Sequence, residues 1–205
     1  MHRLKYVIAS TVVLFLTSFA PQDLPKTFTD LLSRADMMFE APKDLVPTPV
    51  VFNHAMSYEY ALKYPDKNFE IRYAVRPADN LWKEYYAAEK NKKKGDINIS
   101  PDSMYTAAFQ SIIANASNGE YPKITEFQKA AVKAEFNADW GGTAFLHPRK
   151  EFGQDYKYCM VVAIHKNKAG DAYIFYLSDS ENEFSDTGFK EHVLPAFYSL
   201  LFNKL

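Results

Sequence analysis

The clearest pattern in the chain is a period-two alternation on both sides of one turn. Tyr58, Tyr60, Leu62 and Tyr64 alternate with Glu59, Ala61 and Lys63. After Pro65-Asp66-Lys67-Asn68, the residues Phe69, Ile71, Tyr73 and Val75 alternate with Glu70, Arg72, Ala74 and Arg76. Side chains on a strand point alternately to its two faces, so this predicts a β-hairpin with one buried and one wetter face. On the wetter face Glu59, Lys63, Glu70 and Arg72 are placed for cross-strand ion pairs, each worth a few tenths of a kcal/mol. A second hairpin, Tyr156 to His165 and Ala172 to Leu177, surrounds the turn Lys166–Asp171. Its strands are apolar on both faces, which places them centrally with cover above and below.

Helical spacing fills the rest. Phe28, Leu31, Leu32 and Ala35 mark a short amphipathic helix after a polar linker, and Met37-Met38-Phe39 reads as a short strand stopped by Pro42. Residues 79–90 form a helix with Leu81, Trp82, Tyr85 and Ala88 on one side. Ser100-Pro101 opens a second, which carries Tyr105, Phe109, Ile112 and Ala116 and ends at Asn118-Gly119. Thr125-x-x-Gln128 has capping-box form and opens a third through Phe127, Ala131 and Ala134. Gly141-Gly142 then turns the chain sharply into a strand at Thr143–Leu146. An amphipathic helix through Phe189, Val193, Phe197, Leu200 and Leu201, in which Pro195 makes a kink or begins a second segment, closes the chain. Two hairpins and several helices make an α+β domain, a largely antiparallel β-sheet covered by helices in an α/β/α sandwich.

The N-terminus changes the picture of location. Arg3 and Lys5 precede an apolar run from Tyr6 to Leu16, and Thr17-Ser18-Phe19-Ala20 supplies small residues before a cut after Ala20. This is the three-part pattern of a secretory signal peptide, with Pro21 an unusual residue just past the cut. The expected organisation is a signal peptide at 1–20, a linker and short helix at 21–34, and one α+β domain at 35–205. The expected location is the periplasm or cell surface, with no stable membrane span after processing.

The order of elements from about Ala35 to Asn203 resembles the PsbP-like family. The likeness rests on the strand Met37-Met38-Phe39, the hairpin around Pro65-Asp66-Lys67-Asn68, the second hairpin and the helix from Phe189. The helix at 79–90 looks like an addition to that order. The stretch from Asp139-Trp140-Gly141-Gly142 to Lys166 is also similar to exported proteins of Bacteroidetes-type bacteria. Both resemblances imply a fold and an exported location, and neither implies a mechanism.

Composition and chemistry narrow the function classes. Formal net charge is −1, which gives no electrostatic basis for nucleic-acid binding. The basic run Lys90 to Lys94 reads as a solvated loop. The single cysteine, Cys159, excludes an intramolecular disulfide. Cys159 and His165 lie six residues apart on one strand, about 20 Å, too far for a catalytic dyad. His54, His147, His165 and His192 show no metal-ligand spacing, so neither a metal nor a cofactor is expected. The acidic stretch Asp179–Asp186 lacks the glycine of a calcium-binding loop, Phe184 standing at its sixth position.

The remaining candidate for ligand contact is Asp139, Trp140, Gly141, Gly142, His147 and Arg149. The expected function is a non-catalytic envelope domain that binds a protein, a peptide or a small ligand. The alternatives are a hydrolase or transferase built around Asp139, His147 and Arg149, and an interaction-only inhibitor or immunity-type protein.

Overall fold

The computed structural model describes residues 24–204. The signal-peptide reading of residues 1–20 therefore lies outside the described residues. The chain runs α1 (Lys26–Arg34), β1 (Met37–Phe39), β2 (Val46–Pro47), β3 (Tyr60–Lys63), β4 (Phe69–Pro77) and α2 (Asp79–Lys90). A 3₁₀ turn at Pro101–Ser103 leads into α3 (Tyr105–Ala116), β5 (Thr125–Glu126), α4 (Lys129–Phe136), β6 (Trp140–Leu146) and α5 (Lys150–Gly153). Then come β7 (Tyr158–Lys166), β8 (Gly170–Ser178), a 3₁₀ turn at Glu181–Phe184, α6 (Asp186–Gly188), a π-helical turn at Phe189–Val193, α7 (Leu194–Phe197) and β9 (Leu200–Phe202). Seven strands pair in the order β2-β3-β4-β8-β7-β6-β5, every pair antiparallel, and β1 and β9 make a separate two-stranded sheet. The expected α+β architecture, an antiparallel sheet with helical cover, is what the chain adopts.

The sheet separates two cores. On one face Tyr60, Leu62, Ile71, Tyr73, Ile174 and Tyr176 pack with α1, α4 and the β1–β9 pair. The helix α1 belongs to this core, although its sequence position set it apart from the domain proper. Phe28 is fully buried, stacked on Tyr60 at 5.1 Å and edge-on to Phe39 at 5.4 Å. On the other face Phe109, Ile113 and Ala116 of α3 and Phe152 of α5 cover Ala61, Ala74, Val161, Tyr173 and Phe175. The long β4–β8 ladder, Phe69↔Ser178 to Pro77↔Gly170, brings the two hairpins side by side. Its far end depends on Gly170 at φ +140, where a Cβ would run into the Arg76 carbonyl oxygen.

Five expectations need correction. The first hairpin has no wet face: β4 is buried from Phe69 to Val75, Glu70 and Arg72 included, because α3 and α5 cover what alternation alone left open. Arg72 pairs with Glu70 on its own strand at 2.6 Å, and Glu59 pairs with Arg76 at 2.9 Å. Thr125 is no helix cap; it pairs with Thr143 in the edge strand β5, and α4 starts only at Lys129. Gly141 and Gly142 form no turn, since both lie within β6 and the left-handed residue is Asn137 at φ 50. They allow close packing instead: a Cβ on Gly141 would stand 3.0 Å from Phe127, and one on Gly142 would stand 3.2 Å from the Trp140 ring. The last helix ends at Phe197, with Pro195 in the first turn of its final segment α7, and Leu200 and Leu201 leave it to pair as β9 with β1. Apolar residues at that spacing satisfy a strand as well as a helix when a partner strand is waiting.

Candidate functional site

Register brings together residues that are far apart in sequence. Arg76 of β4 lies opposite Asp171 of β8, Asp171 lies opposite His165 of β7, and His165 lies opposite Trp140 of β6. Directly opposed residues in an antiparallel pair hold their Cβ atoms roughly 5 Å apart, so these four side chains form one row across the sheet. Glu59 extends it, accepting from Arg76 Nη1 at 2.9 and 3.0 Å and from the Val75 backbone N–H at 3.0 Å. Arg76 Nη2 donates to the Ser57 carbonyl at 2.7 Å and to its hydroxyl at 2.9 Å.

His165 is the centre of the row and is buried. Its Nδ1 stands 2.7 Å from Asp171 Oδ1 and its Nε2 stands 3.2 Å from Asn167 Oδ1. Tyr105 stacks on the imidazole at 4.4 Å and also meets the Trp140 ring at 5.0 Å. Burial alone disfavours the imidazolium, but the hydrogen bond and charge of Asp171, with Asn167 and Asp102 behind it, raise the His165 pKa above its ordinary value. With both ring nitrogens facing oxygens, the group is suited to hold a proton as a fixed charge and poorly suited to take one from a substrate.

The row opens into a cleft of ≈ 360 Å³ between α1, the start of α2 and the end of the second hairpin. Its charged wall is Arg34, Glu59, Arg76, Asp102, His165 and Asp171. Leu31, Val75, Leu81 and Pro101 supply the apolar part. Each charge is held in place by a partner. Arg34 donates twice to Asp79 at 3.1 and 2.8 Å, and Asp102 accepts from the Lys168 backbone N–H at 2.9 Å.

The six candidates from the sequence divide between the two ends of β6. Asp139 and Trp140 stand at the His165 end. Asp139 accepts from the Asn167 backbone N–H at 2.9 Å and lies 3.7 Å from Lys133. The Trp140 indole is packed between Tyr105, Phe109 and Gly142. Neither lines the cleft; the Asp139 N–H donates to the His165 carbonyl at 2.8 Å, and Trp140 lies opposite His165 in the ladder. His147 and Arg149 stand beyond the other end. Eight residues of extended chain separate Asp139 from His147, roughly 25 Å, so no common reaction centre includes both. His147 is exposed, with Glu120 at 3.9 Å. Arg149 pairs with Glu151 at 3.3 Å and lines a more open hollow of ≈ 580 Å³ with Phe52, Asn53 and His54.

Toward the far end of β6 the same face seals over, Glu70 lying in register with Leu177, Cys159 and Leu146. Arg72 is 1% exposed and Glu70 7%. The guanidinium lies over the rings of Tyr58 at 4.8 Å and Phe152 at 5.0 Å. Its Nε donates to Glu70 at 2.6 Å, its Nη1 donates to the Phe152 carbonyl, and Tyr156 Oη donates to Glu70 at 3.2 Å. Arg72 Nη2 has no partner among the described residues. Cys159 is fully buried in this neighbourhood, and burial pushes its thiol far up, as befits a core side chain. Among the described residues no group of three or more His, Cys, Asp or Glu gathers for a metal ion. The acidic stretch folds as a 3₁₀ turn and a short helix, with Ser185 accepting from the Gly188 N–H and Glu183 meeting His192.

Sequence reasoning missed Arg76, Asp171 and Asp102, and treated His165 as a strand end. Part of the signal was present. Residues flanking a hairpin turn face each other, so the turn Lys166–Asp171 already set His165 close to Asp171. Nothing local announced Arg76, which arrives through the β4–β8 pairing.

No family model matches the chain, and no curated protein matches it. The solution structure of cyanobacterial PsbP (CyanoP) from Synechocystis sp. PCC 6803 is similar over 83% of this chain and 89% of its own, at 14% identity and a TM-score of 0.38. It bears the name of the family that the order of elements resembles. A likeness this distant transfers neither a site residue nor an activity. The likeness of residues 139–166 to exported Bacteroidetes-type proteins is supported by none of these comparisons. No helix among the described residues is long and apolar enough to cross a membrane.

Proposed function

We propose that this protein is an exported, non-catalytic envelope domain that binds a small zwitterionic ligand in the cleft at the His165 end. The ligand class is a free amino acid or peptide end with an apolar side chain. The observation that carries this reading is the composition of one ≈ 360 Å³ cleft, where fixed cations, fixed anions and apolar side chains meet. Arg34 and Arg76 suit a carboxylate, Asp102 and Asp171 suit an ammonium group, and Leu31, Val75 and Leu81 suit an aliphatic side chain. Preformed ion pairs keep these groups in position before a ligand arrives, which lowers the ordering cost of binding. Asp139 and Trp140 act behind the wall, through Asn167 and Tyr105. The reading as a hydrolase or transferase loses support because Asp139 lies so far from His147 and Arg149. Export rests on the N-terminal pattern of residues 1–20.

Calorimetric titration with L-leucine and with the dipeptide Ala-Leu tests the ligand class. Saturable binding that weakens about tenfold or more in Asp171→Asn is expected, the size of one charge-assisted hydrogen bond. Absence of binding by both compounds overturns it. Cell fractionation tests export, and recovery of the protein in the cytoplasm overturns that part.

A further inference from the structure

Residues 79–104 stand apart from both cores: no residue from Asp79 to Met104 is buried. The segment is nonetheless held at both ends. Arg34 clamps Asp79, the Ala78 N–H donates to the Ala169 carbonyl at 2.9 Å, and Asp102 accepts from the Lys168 N–H at 2.9 Å. The returning chain is tied to α2 by Asn98, whose amide donates to the Tyr85 carbonyl at 3.1 Å and to Glu89 at 3.0 Å. The base of the arm walls the ligand cleft through Leu81, Pro101 and Asp102, whereas its outer part serves neither the cleft nor a core.

The surface of the arm combines two features. Ile97 is 90% exposed and Ile99 60%, on the loop beside a cluster of Trp82, Tyr85 and Tyr86 with ring centroids 5.3 to 5.7 Å apart. Just before them stand Lys90, Lys92, Lys93 and Lys94, against two acids, Glu89 and Asp96, the latter's carboxylate accepting from the Lys93 N–H. Of the four lysines, Lys92 is paired with Glu89 at 3.0 Å. This basic tip belongs to a chain whose net charge is −1.

We propose that this arm docks on an anionic lipid surface. Lysines near a negatively charged bilayer are attracted to it, exposed isoleucines gain by entering the boundary of the acyl chains, and Trp and Tyr favour the headgroup level. The opposite charge of the tip and the lipid identifies the occupant. Two copies meeting tip to tip would bring like charges together, and neither hollow described above has Ile97, Ile99 or these lysines in its wall. The inference rests on the outer part of the arm and not on Leu81, Pro101 and Asp102, which line the ligand cleft at its base.

Co-sedimentation of the full chain with phosphatidylcholine vesicles, with and without one quarter phosphatidylglycerol, tests it. Binding is expected to the anionic vesicles, with a blue shift of tryptophan emission. It should weaken about tenfold in high salt and about tenfold in Ile97→Asp/Ile99→Asp, with the heat-unfolding midpoint unchanged because neither side chain is buried. Absence of binding, or equal binding to neutral vesicles, overturns the proposal. So does undiminished binding by the double variant, which would leave residues 6–16 as the lipid-seeking segment. Self-association that disappears in the double variant, without vesicle binding, assigns the surface to a second copy and also overturns it.

Discussion

The face of the sheet that α3 and α5 cover carries charge at both ends, and the two ends treat it in opposite ways. At one end Glu70 and Arg72 are sealed beneath Tyr58 and Phe152, with Tyr156 completing the carboxylate's bonds. At the other, Glu59, Arg76, Asp171 and His165 run in a row that opens on a cleft. A sealed pair has no access to a ligand and acts on stability and on the choice of one packing. An open row keeps its charges fixed and reachable, which is what recognition of a charged small molecule needs. Similar residue types on one β-sheet face thus serve two purposes, and the cover laid over them decides which.

Breaking the sealed end should have the largest effect. Arg72→Ala leaves Glu70 buried without its counterion and is expected to cost about 3–5 kcal/mol. For a chain of this size that lowers the unfolding midpoint by roughly 10 °C, measured by calorimetry. The double variant Glu70→Leu/Arg72→Met, which removes both charges, should recover most of the loss. A single variant as stable as the parent would show that the sealed pair is not structural. Cys159→Ser at the same end places a hydroxyl in an apolar core and should cost about 1–3 kcal/mol, with ligand affinity unchanged. Lost affinity in a folded Cys159→Ser protein would give the cysteine a role beyond packing.

The open end should show itself in pH dependence before it shows in stability. The His165 pKa is raised in the folded chain, so its ion pair with Asp171 contributes fully below the unfolded-state value and is lost as pH rises through the folded one. The unfolding midpoint should therefore fall from mildly acidic to neutral pH and above, and that fall should be absent in His165→Gln. Parallel profiles for the two proteins would contradict the assignment. The smallest effects are expected beyond the far end of β6. His147→Ala and Arg149→Ala should change stability by no more than about 0.5 kcal/mol and leave the cleft's binding intact.

The sequence was informative where information is local. Alternation located β3 and β4, and the apolar runs located β7 and β8 at the centre. Two things were not legible. Alternation shows which side chains share a face but not whether another layer covers that face, so Glu70 and Arg72 read as wet until α3 and α5 were in place. Proximity in sequence also misled at the candidate site. Asp139 and His147 stand eight residues apart, but β6 extends across that interval and holds them at opposite ends. The row that replaces them is assembled by register between strands as distant as β4 and β8. Arg76 and Asp171 have no local pattern in common, so only the paired sheet reveals them as neighbours.

The measurement that most directly separates the two ends is a two-dimensional NMR titration of the isotopically labelled protein with Ala-Leu. The account predicts saturable shifts at His165, Asp171, Arg76 and Ala78, with the signals of His54, His147 and Arg149 unmoved. Shifts confined to His54, His147 and Arg149, or no shifts at either end, would contradict it.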